Sequence, residues 1–332
     1  MLRLAVLPLA LLALGASNPE QQPGKPDAQP VADDLVSSLQ LGDLENRLTV
    51  GVQLNAAGPF RFVIDTGAER SVVSRELASH LGLVAGRRIP MTTMTESSMV
   101  NTVIVPSLMI PAVGERKAIE APAMEARHLG AAGLLGLDTL EGRRVTIDFD
   151  AGTMAVRPAR ARTERSDPNE IVVRAKSALG QLIVTDASYY GTKIRVVIDT
   201  GAQVSMGNSA LLERLRRHRK NVQSITLTSV TGGQITVDYG LVEGIRLGEV
   251  EFSTMPIAFS DVLPFKRFGL MDKPALLLGM DALRSFRRVD IDFANREVRL
   301  LVPRDSLVRP LSTGSIVGGG GLDSGVRSIP IR

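Results

Sequence analysis

Short apolar runs, separated by turn-forming residues, recur along most of this chain. Residues 48–54 alternate between larger apolar side chains and small or polar ones, a pattern typical of a strand with one buried face. Residues 55–59 include Asn, Gly and Pro and predict a turn, and residues 60–64 then form a nearly continuous apolar run. The pattern predicts short β-strands joined by tight turns.

Two further stretches have a clear local pattern. Residues 74–81 have a helical pattern and begin at Ser74, whose hydroxyl is a good helix N-cap. Residues 224–239 predict a hairpin around the Thr-Gly-Gly turn at residues 231–233. The corresponding stretch earlier in the chain, residues 90–105, contains no such clean turn. The chain is therefore predicted to be all-β with a few short helices.

The most informative feature of the sequence is an internal repeat. Residues 61–71 (RFVIDTGAERS) and 195–205 (RVVIDTGAQVS) are identical at eight of eleven positions. The aspartates of the two copies are Asp65 and Asp199. Each Asp-Thr-Gly-Ala follows a run rich in Val and Ile, which predicts a buried strand that ends in a tight turn.

Two later landmarks repeat in the same order. An apolar-apolar-Gly segment ends at Gly136 and again at Gly279. Beyond it, residues 143–149 match residues 287–293 at six of seven positions. The period spans more than a third of the chain, which indicates a duplicated domain, because solenoid repeats run at roughly 20 to 50 residues.

The composition agrees with two globular domains. At 332 residues the chain can bury a core in each, and 44 % hydrophobic with 22 % charged residues is ordinary for a globular protein. The predicted organisation is a signal peptide at 1–17, a flexible spacer at 18–39, a first lobe at 40–158, a linker at 159–170, a second lobe at 171–303 and a disordered tail at 304–332.

The N-terminus is typical of an export signal. Arg3 precedes an apolar run at residues 4–14, and small residues follow at 15–17. The run is too short for a stable membrane span, which needs about 20 residues. The chain contains no cysteine, which excludes disulfides and a cysteine-linked lipid anchor. We expect a periplasmic or extracellular protein, the alternative being a disordered or membrane-tethering N-terminus.

The duplicated carboxylates are the candidate chemistry. A single Asp-Thr-Gly is often only a turn or a helix cap, but two copies in duplicated lobes favour a shared site. Glycine lets each loop turn sharply, so that two loops can approach, and each threonine hydroxyl can bond across to the other loop. Two carboxylates that share a site hold one proton between them. The ionised member can activate a water while the protonated member donates to a substrate carbonyl.

With these motifs the chain resembles the retropepsin-like and the two-lobed pepsin-like aspartic proteases over most of residues 40–302. The resemblance implies two duplicated β-barrel lobes with short helices and a shared cleft. It implies catalysis by Asp65 and Asp199, and a lock between the lobes formed by Thr66 and Thr200.

The same resemblance assigns supporting parts. Gly67 and Gly201 belong to the two active-site loops, and the segments ending at Gly136 and Gly279 support those loops. Mobile flaps are expected near residues 91–102 and 227–237.

One departure from the pepsin pattern bears on pH. Ala68 and Ala202 follow the glycines, where pepsins carry a hydroxyl residue that can stabilise the carboxylates. This difference argues against a strongly acidic optimum.

We therefore predict an aspartic endopeptidase that acts on peptide or protein substrates, without cofactor or metal, as a monomer whose lobes pair within one chain. Two alternatives remain open: a peptide-binding protein that kept the fold without useful turnover, and an enzyme that acts only on one partner or on itself.

Other groups carry weaker signals. The histidines, His80, His128 and His218, share no metal-ligand spacing with acidic residues. The basic cluster at residues 214–220 predicts an amphipathic helix that turns its charges to water, with an anionic-surface contact as the alternative. Nucleic-acid binding is not expected, because no aromatic residues interleave with these charges.

Four other aspartates have structural interpretations. Asp148 and Asp292 are predicted at turns or on the surface, and Asp138 and Asp281 are predicted to cap short helices.

Overall fold

The computed structural model describes residues 49–303, apart from 112, 160–166, 168, 179 and 216–218, together with the short strand Val326–Ser328. The predicted signal peptide and spacer, and most of the linker and the tail, lie outside the described residues, so these boundaries stay predictions. No helix in the described part of the chain combines the length and apolar character needed to cross a membrane.

The described part of the first lobe contains nine strands and three short helices. The strands are β1 (Thr49–Leu54), β2 (Ala57–Ile64), β3 (Val72–Ser74), β4 (Val84–Thr92), β5 (Ser97–Ile110), β6 (Gly114–Met124), β7 (Gly133–Leu135), β8 (Arg143–Asp148) and β9 (Thr153–Pro158). The helices are α1 (Arg75–His80), α2 (Ala126–Leu129) and α3 (Leu137–Leu140).

The second lobe repeats this order with a few differences. Its strands are β10 (Glu170–Ala178), β11 (Gln181–Tyr189), β12 (Thr192–Ile198), β13 (Met206–Gly207), β14 (Arg219–Thr228), β15 (Gln234–Val242), β16 (Ile245–Leu247), β17 (Val250–Phe252), β18 (Met255–Phe259), β19 (Ala275–Leu278), β20 (Arg288–Asp292) and β21 (Glu297–Leu301), and β22 is Val326–Ser328. The helices are α4 (Ser209–Leu215), α5 (Leu263–Arg267) and α6 (Met280–Leu283).

The first lobe closes into a six-strand barrel. Strands β1, β2, β7, β3, β6 and β5 follow one another, and β5 pairs back onto β1. The apolar faces of these strands fill the barrel, where Leu54, Phe62, Ile64 and Val105 are fully buried. As predicted, α1 begins after Ser74, whose hydroxyl accepts a hydrogen bond from the backbone N–H of Leu77 at 3.1 Å.

The second lobe builds a similar barrel from strands β11, β12, β19, β13, β18 and β15. The counterpart of the long strand β5 is interrupted here, because Glu243 and Gly244 separate β15 from β16. Strand β16 then pairs with β11 and closes the barrel. The prediction of an all-β protein made of two duplicated barrel lobes is therefore confirmed.

A shared sheet joins the lobes. Strands β9 and β8 from the first lobe continue into β20, β21 and β10 from the second. Strand β8 pairs antiparallel with β20, so that Val145 lies opposite Ile291, and both side chains are fully buried. Apolar packing and main-chain hydrogen bonds thus fix one lobe against the other.

Charged residues cross the same boundary, and one of them corrects a prediction. Asp148 is half-buried and accepts a hydrogen bond from the N–H of Ala151 at 2.9 Å, as expected for a turn. Asp292 also holds a turn, through the N–H of Asn295 at 2.8 Å, but the prediction of a surface position is wrong for it. Its side chain is fully buried. Arg144 of the first lobe donates to its Oδ2 at 3.1 and 3.2 Å and so compensates the buried charge.

Two other predictions differ from the structure. The basic cluster does not continue a single helix, because α4 ends at Leu215 and Arg219 and Lys220 begin strand β14. Backbone pairing with β15 replaces the helix there. Within the tail that was predicted to be disordered, β22 pairs with β17.

Candidate active site

Asp65 and Asp199 each follow the last residue of a strand that lies between neighbours. Strand β2 runs parallel to β7, and the N–H of Asp65 donates to the carbonyl of Leu135 at 2.9 Å. Strand β12 runs parallel to β19, and the N–H of Asp199 donates to the carbonyl of Leu278 at 3.0 Å. The sheet therefore sets the starting point of two equivalent loops, the first Asp loop (residues 65–68) and the second Asp loop (residues 199–202).

Each loop fixes the orientation of its own carboxylate. Oδ1 of Asp65 accepts hydrogen bonds from the backbone N–H groups two and three residues ahead, at 2.8 and 3.0 Å. Oδ1 of Asp199 accepts the corresponding pair, both at 3.1 Å. One oxygen of each carboxylate is thus occupied by the backbone, as in an Asx-turn.

The two loops are bonded to each other through their threonines. The hydroxyl of Thr200 accepts from the N–H of Thr66, and the hydroxyl of Thr66 accepts from the N–H of Thr200, both at 3.1 Å. Each hydroxyl also donates across the boundary, Thr66 to the carbonyl of Ile198 at 2.8 Å and Thr200 to that of Ile64 at 2.7 Å. Both threonines are buried, so that this lock lies in a poorly solvated environment where hydrogen bonds are stronger.

The carboxylates lie against the opposite loops. A Cβ built on Gly67 would come within 2.6 Å of Oδ1 of Asp199, and a Cβ on Gly201 would overlap the carboxylate of Asp65. Each glycine is therefore required by the close approach of the other lobe's carboxylate.

The two apolar-apolar-Gly segments lie under the loops. A Cβ on Gly136 would clash with the backbone of Arg70, and one on Gly279 would clash with the backbone of Val204. The next residue in each segment donates its N–H to the carbonyl at the end of the loop above, at 2.9 Å in both lobes. The structure thus brings together all eight residues singled out in the sequence: Asp65, Thr66, Gly67, Gly136, Asp199, Thr200, Gly201 and Gly279.

Comparison with known proteins agrees with this geometry. A family model described as "gag-polyprotein putative aspartyl protease" matches residues 50–142, and a second, described as "Aspartyl protease", matches residues 185–282. Each match covers one barrel and one Asp loop. The chain belongs to the retropepsin-like aspartic proteases, and it carries two lobes. A search of curated proteins found no match.

The two aspartates of this protease differ in their surroundings. The side chain of Asp199 is buried, whereas Asp65 is partly exposed. Burial, and then the nearby Asp65, raise the pKa of Asp199 well above its usual range, against the hydrogen bonds from the N–H groups of Ala202 and Gly201. The raised pKa favours a proton on Asp199.

A serine and an aspartate support each loop from behind. The hydroxyl of Ser71 donates to Asp138 at 2.7 Å and accepts from the N–H of Gly136 at 3.0 Å. Ser205 does the same with Asp281 at 2.6 Å and the N–H of Gly279 at 3.0 Å. These contacts join each Asp loop to its underlying segment.

The helix-cap prediction for Asp138 and Asp281 is therefore wrong, since Gly136 and Gly279 occupy the N-cap positions. The two serines were missed as functional candidates, although both end the duplicated eleven-residue motif. Burial raises the pKa of Asp281 to about 6, against the hydrogen bonds it accepts from Ser205.

Two hairpins of the protease meet at their tips. The first flap is formed by β4 and β5 with a turn at 93–96, and the second by β14 and β15 with a turn at 229–233, both within the predicted ranges. The hydroxyl of Thr95 donates to that of Ser229 at 3.1 Å. The turn of the first flap contains no glycine. It is closed instead by the N–H of Thr93, which donates to the carbonyl of Glu96 at 2.8 Å.

A cleft of about 570 Å³ opens beside the first Asp loop. Its walls come from the first flap, from α5 and the residue that follows it, and from Gln181. Gln181 is buried, and its Nε2 donates to the carbonyl of Gly67 at 2.6 Å. Nothing in the sequence around Gln181 singled it out, because its role depends on a contact with the first Asp loop, 114 residues away in the sequence.

Proposed function

We propose that this protease is an endopeptidase that cleaves peptide bonds with a water molecule activated between Asp65 and Asp199. The observation that carries the proposal is the reciprocal pair of loops, in which each carboxylate lies against the glycine of the other lobe. Such a pair shares one proton, and the burial of Asp199 favours that residue as the protonated member.

The reaction proposed is direct hydrolysis. The ionised carboxylate takes a proton from water as its oxygen attacks the peptide carbonyl, and the protonated carboxyl donates its proton to the carbonyl oxygen. The carboxyl that took the proton from water then passes it to the amide nitrogen, and one hydroxyl of the gem-diol returns its proton to the other aspartate as the C–N bond breaks, which gives a carboxylic acid and an amine and restores the starting pair. The backbone N–H groups that hold one oxygen of each Asp keep both carboxylates oriented throughout.

The test is a pair of isosteric variants, Asp65→Asn and Asp199→Asn, assayed on a denatured protein and on a peptide library. We expect each to lower turnover by about 100- to 10,000-fold, the range that a general acid or base contributes. The melting temperature should change little, because the amide oxygen can still accept the loop hydrogen bonds. Asp148→Asn, in a turn of the shared sheet, serves as the matched control.

Two results would contradict the proposal. A single Asn variant with near wild-type turnover would exclude the shared mechanism. A wild-type protein that binds peptides and leaves every one of them uncut would favour the alternative of a peptide-binding protein.

A further inference from the structure

The second lobe has an insertion relative to the first, and this insertion borders the cleft. Ala123 of β6 and Phe259 of β18 occupy equivalent pairing positions, and so do Gly133 of β7 and Leu276 of β19. The first lobe thus connects 123 to 133, whereas the second connects 259 to 276. Seven additional residues of the second lobe therefore lie between β18 and β19, in the segment that contains α5.

One side of the additional segment packs into the second lobe, and the other side faces the cleft. Phe265 of α5 is fully buried in the second lobe, and the N–H of Phe268 donates to the carbonyl of Pro264 at 3.0 Å. Lys266 and Arg267 are exposed and line the cleft opposite the first Asp loop. The helix thus holds two cations at the edge of the candidate active site.

The charges around this cleft do not cancel. Its lining contains Arg70, Lys266 and Arg267, against one carboxylate, that of Glu69. Glu69 forms an ion pair with Arg267 across the cleft. Arg70 and Lys266 have no ion-pair partner among the residues that the structure describes. Two positive charges therefore remain beside an apolar wall formed by residues such as Ile89, Met91, Leu263, Pro264 and Phe268.

The equivalent loop of the second lobe lacks these charges. In the duplicated motif, Glu69 and Arg70 correspond to Gln203 and Val204. The cations therefore lie on one side of a site whose two Asp loops are otherwise nearly symmetric.

We infer that this cleft binds an acidic side chain of the substrate, next to apolar side chains, on one side of the scissile bond only. The inference rests on the proposed function. An aspartate or glutamate of the bound peptide meets Arg70 and Lys266, and its apolar neighbours pack on the wall between the first flap and α5. Because both cations are solvent-exposed, the preference is modest and is screened by salt.

The experiment is a series of peptides in which Glu, Gln or Lys is placed in turn at each of the four positions on either side of the cleaved bond. At low salt we expect kcat/KM to favour Glu over Gln by about threefold to fivefold at one position on one side, the range for exposed ion pairs. Lys should be disfavoured at the same position. The preference should shrink at high salt.

Charge reversal assigns the preference to this cleft. In Lys266→Glu the new carboxylate offsets the charge of Arg70, so the preference for Glu over Lys should be lost at that position. Lys193→Glu, at the end of β12 farthest from Asp199, is the matched control and should keep the wild-type order. A Glu preference that survives Lys266→Glu, that appears equally on both sides, or that is absent while peptides are cleaved would overturn the inference and leave the proposed function intact.

A separate measurement covers the case in which no peptide is cut and the proposed function fails. Binding of the same Glu and Lys peptides to the wild-type protein is then measured by fluorescence anisotropy. Tighter binding of the Glu peptides, lost in Lys266→Glu and kept in Lys193→Glu, supports the acidic-substrate cleft. Equal binding of both series overturns it.

Discussion

The position of the proton shared by Asp65 and Asp199 depends on the unequal burial of these two otherwise equivalent residues. Asp199 is 8 % exposed, and its raised pKa follows from burial and from the charge of Asp65. An acid with a raised pKa keeps its proton to higher pH, so the protonated form needed for catalysis persists closer to neutrality. No hydroxyl follows Gly67 or Gly201 to offset this effect.

The pH dependence of turnover should reflect that shift. We expect a bell-shaped kcat/KM profile with its maximum at mildly acidic pH, and an alkaline limb well above the ordinary aspartate pKa of about 3.9. The measurement is a pH–rate profile on one peptide at constant ionic strength. Activity that continues to rise below about pH 3 would contradict this account.

A second prediction at the residue scale concerns the substitution of Gly201. In Gly201→Ala the new Cβ would occupy the space of the Asp65 carboxylate, and the threonine lock prevents the loop from moving away. A displacement of about 1 Å at a reacting group can cost about 100-fold in rate, and we expect a loss of at least that size in kcat.

The matched control for this substitution is Gly142→Ala. No atom lies within 4 Å of a Cβ built there, but its φ of 67° disfavours alanine. It should lower the melting temperature and leave kcat unchanged. Equal losses of kcat in the two variants would show that the Gly201 effect is not local.

The residues of the site were predictable from the sequence to the extent that they are duplicated. Asp65 and Asp199 could be identified because the same motif occurs twice after similar apolar runs. Ser71 and Ser205 were duplicated as well, but a serine near a turn has too many ordinary roles to be singled out. Gln181 has no such signal, because it contacts a loop that is distant in sequence.

At the scale of elements, the two flaps form a single closed cover through their tips. Thr95 lies so close to Gly233 that a Cβ on that glycine would come within 2.6 Å of its hydroxyl oxygen. The hydrogen bond between Thr95 and Ser229 therefore holds the two tips together.

Thr95→Val keeps the shape of the side chain and removes this hydrogen bond. Its loss is worth about 1 kcal/mol, which is roughly a fivefold rise in the population of separated tips. Hydrogen exchange of the amides at 93–96 and 229–233 should accelerate by about that factor. Amides of β2 and β12 should exchange as in the wild type, and acceleration there too would indicate general destabilisation.

Elements were predicted best where local chemistry determines them. The glycine turn of the second flap and the Ser74 cap were evident in the sequence. The first flap closes through the hydroxyl and backbone of Thr93, which leaves a weaker signal than glycine. The basic cluster was wrongly extended as a helix, because pairing of β14 with β15 outweighs the local helical pattern.

At the scale of the whole molecule, we propose that one chain makes one complete site. The shared sheet and the threonine lock both connect residues of the two lobes within a single chain. A symmetric homodimer would require identical halves, whereas the two halves differ at the flaps, at α5 and in the charges of their Asp loops.

Mixing Asp65→Asn protein with Asp199→Asn protein tests this pairing. If the lobes paired between chains, some mixed dimers would carry two intact aspartates at one site, and activity would return. We expect the mixture to stay inactive at every concentration. Activity that increases with total protein would refute pairing within the chain.

The shared sheet also has a consequence for the order of events during synthesis. Asp148 of β8 pairs with Arg288 of β20, which a ribosome reaches only after most of the second lobe. At about 5 to 20 residues per second, the partner strand is completed roughly 7 to 29 seconds after β8. Throughout that interval one edge of β8 is unpaired, and the sheet that joins the two lobes is incomplete. Under the proposed function, the nascent polypeptide gains its peptidase activity only when nearly all of the second lobe has been made.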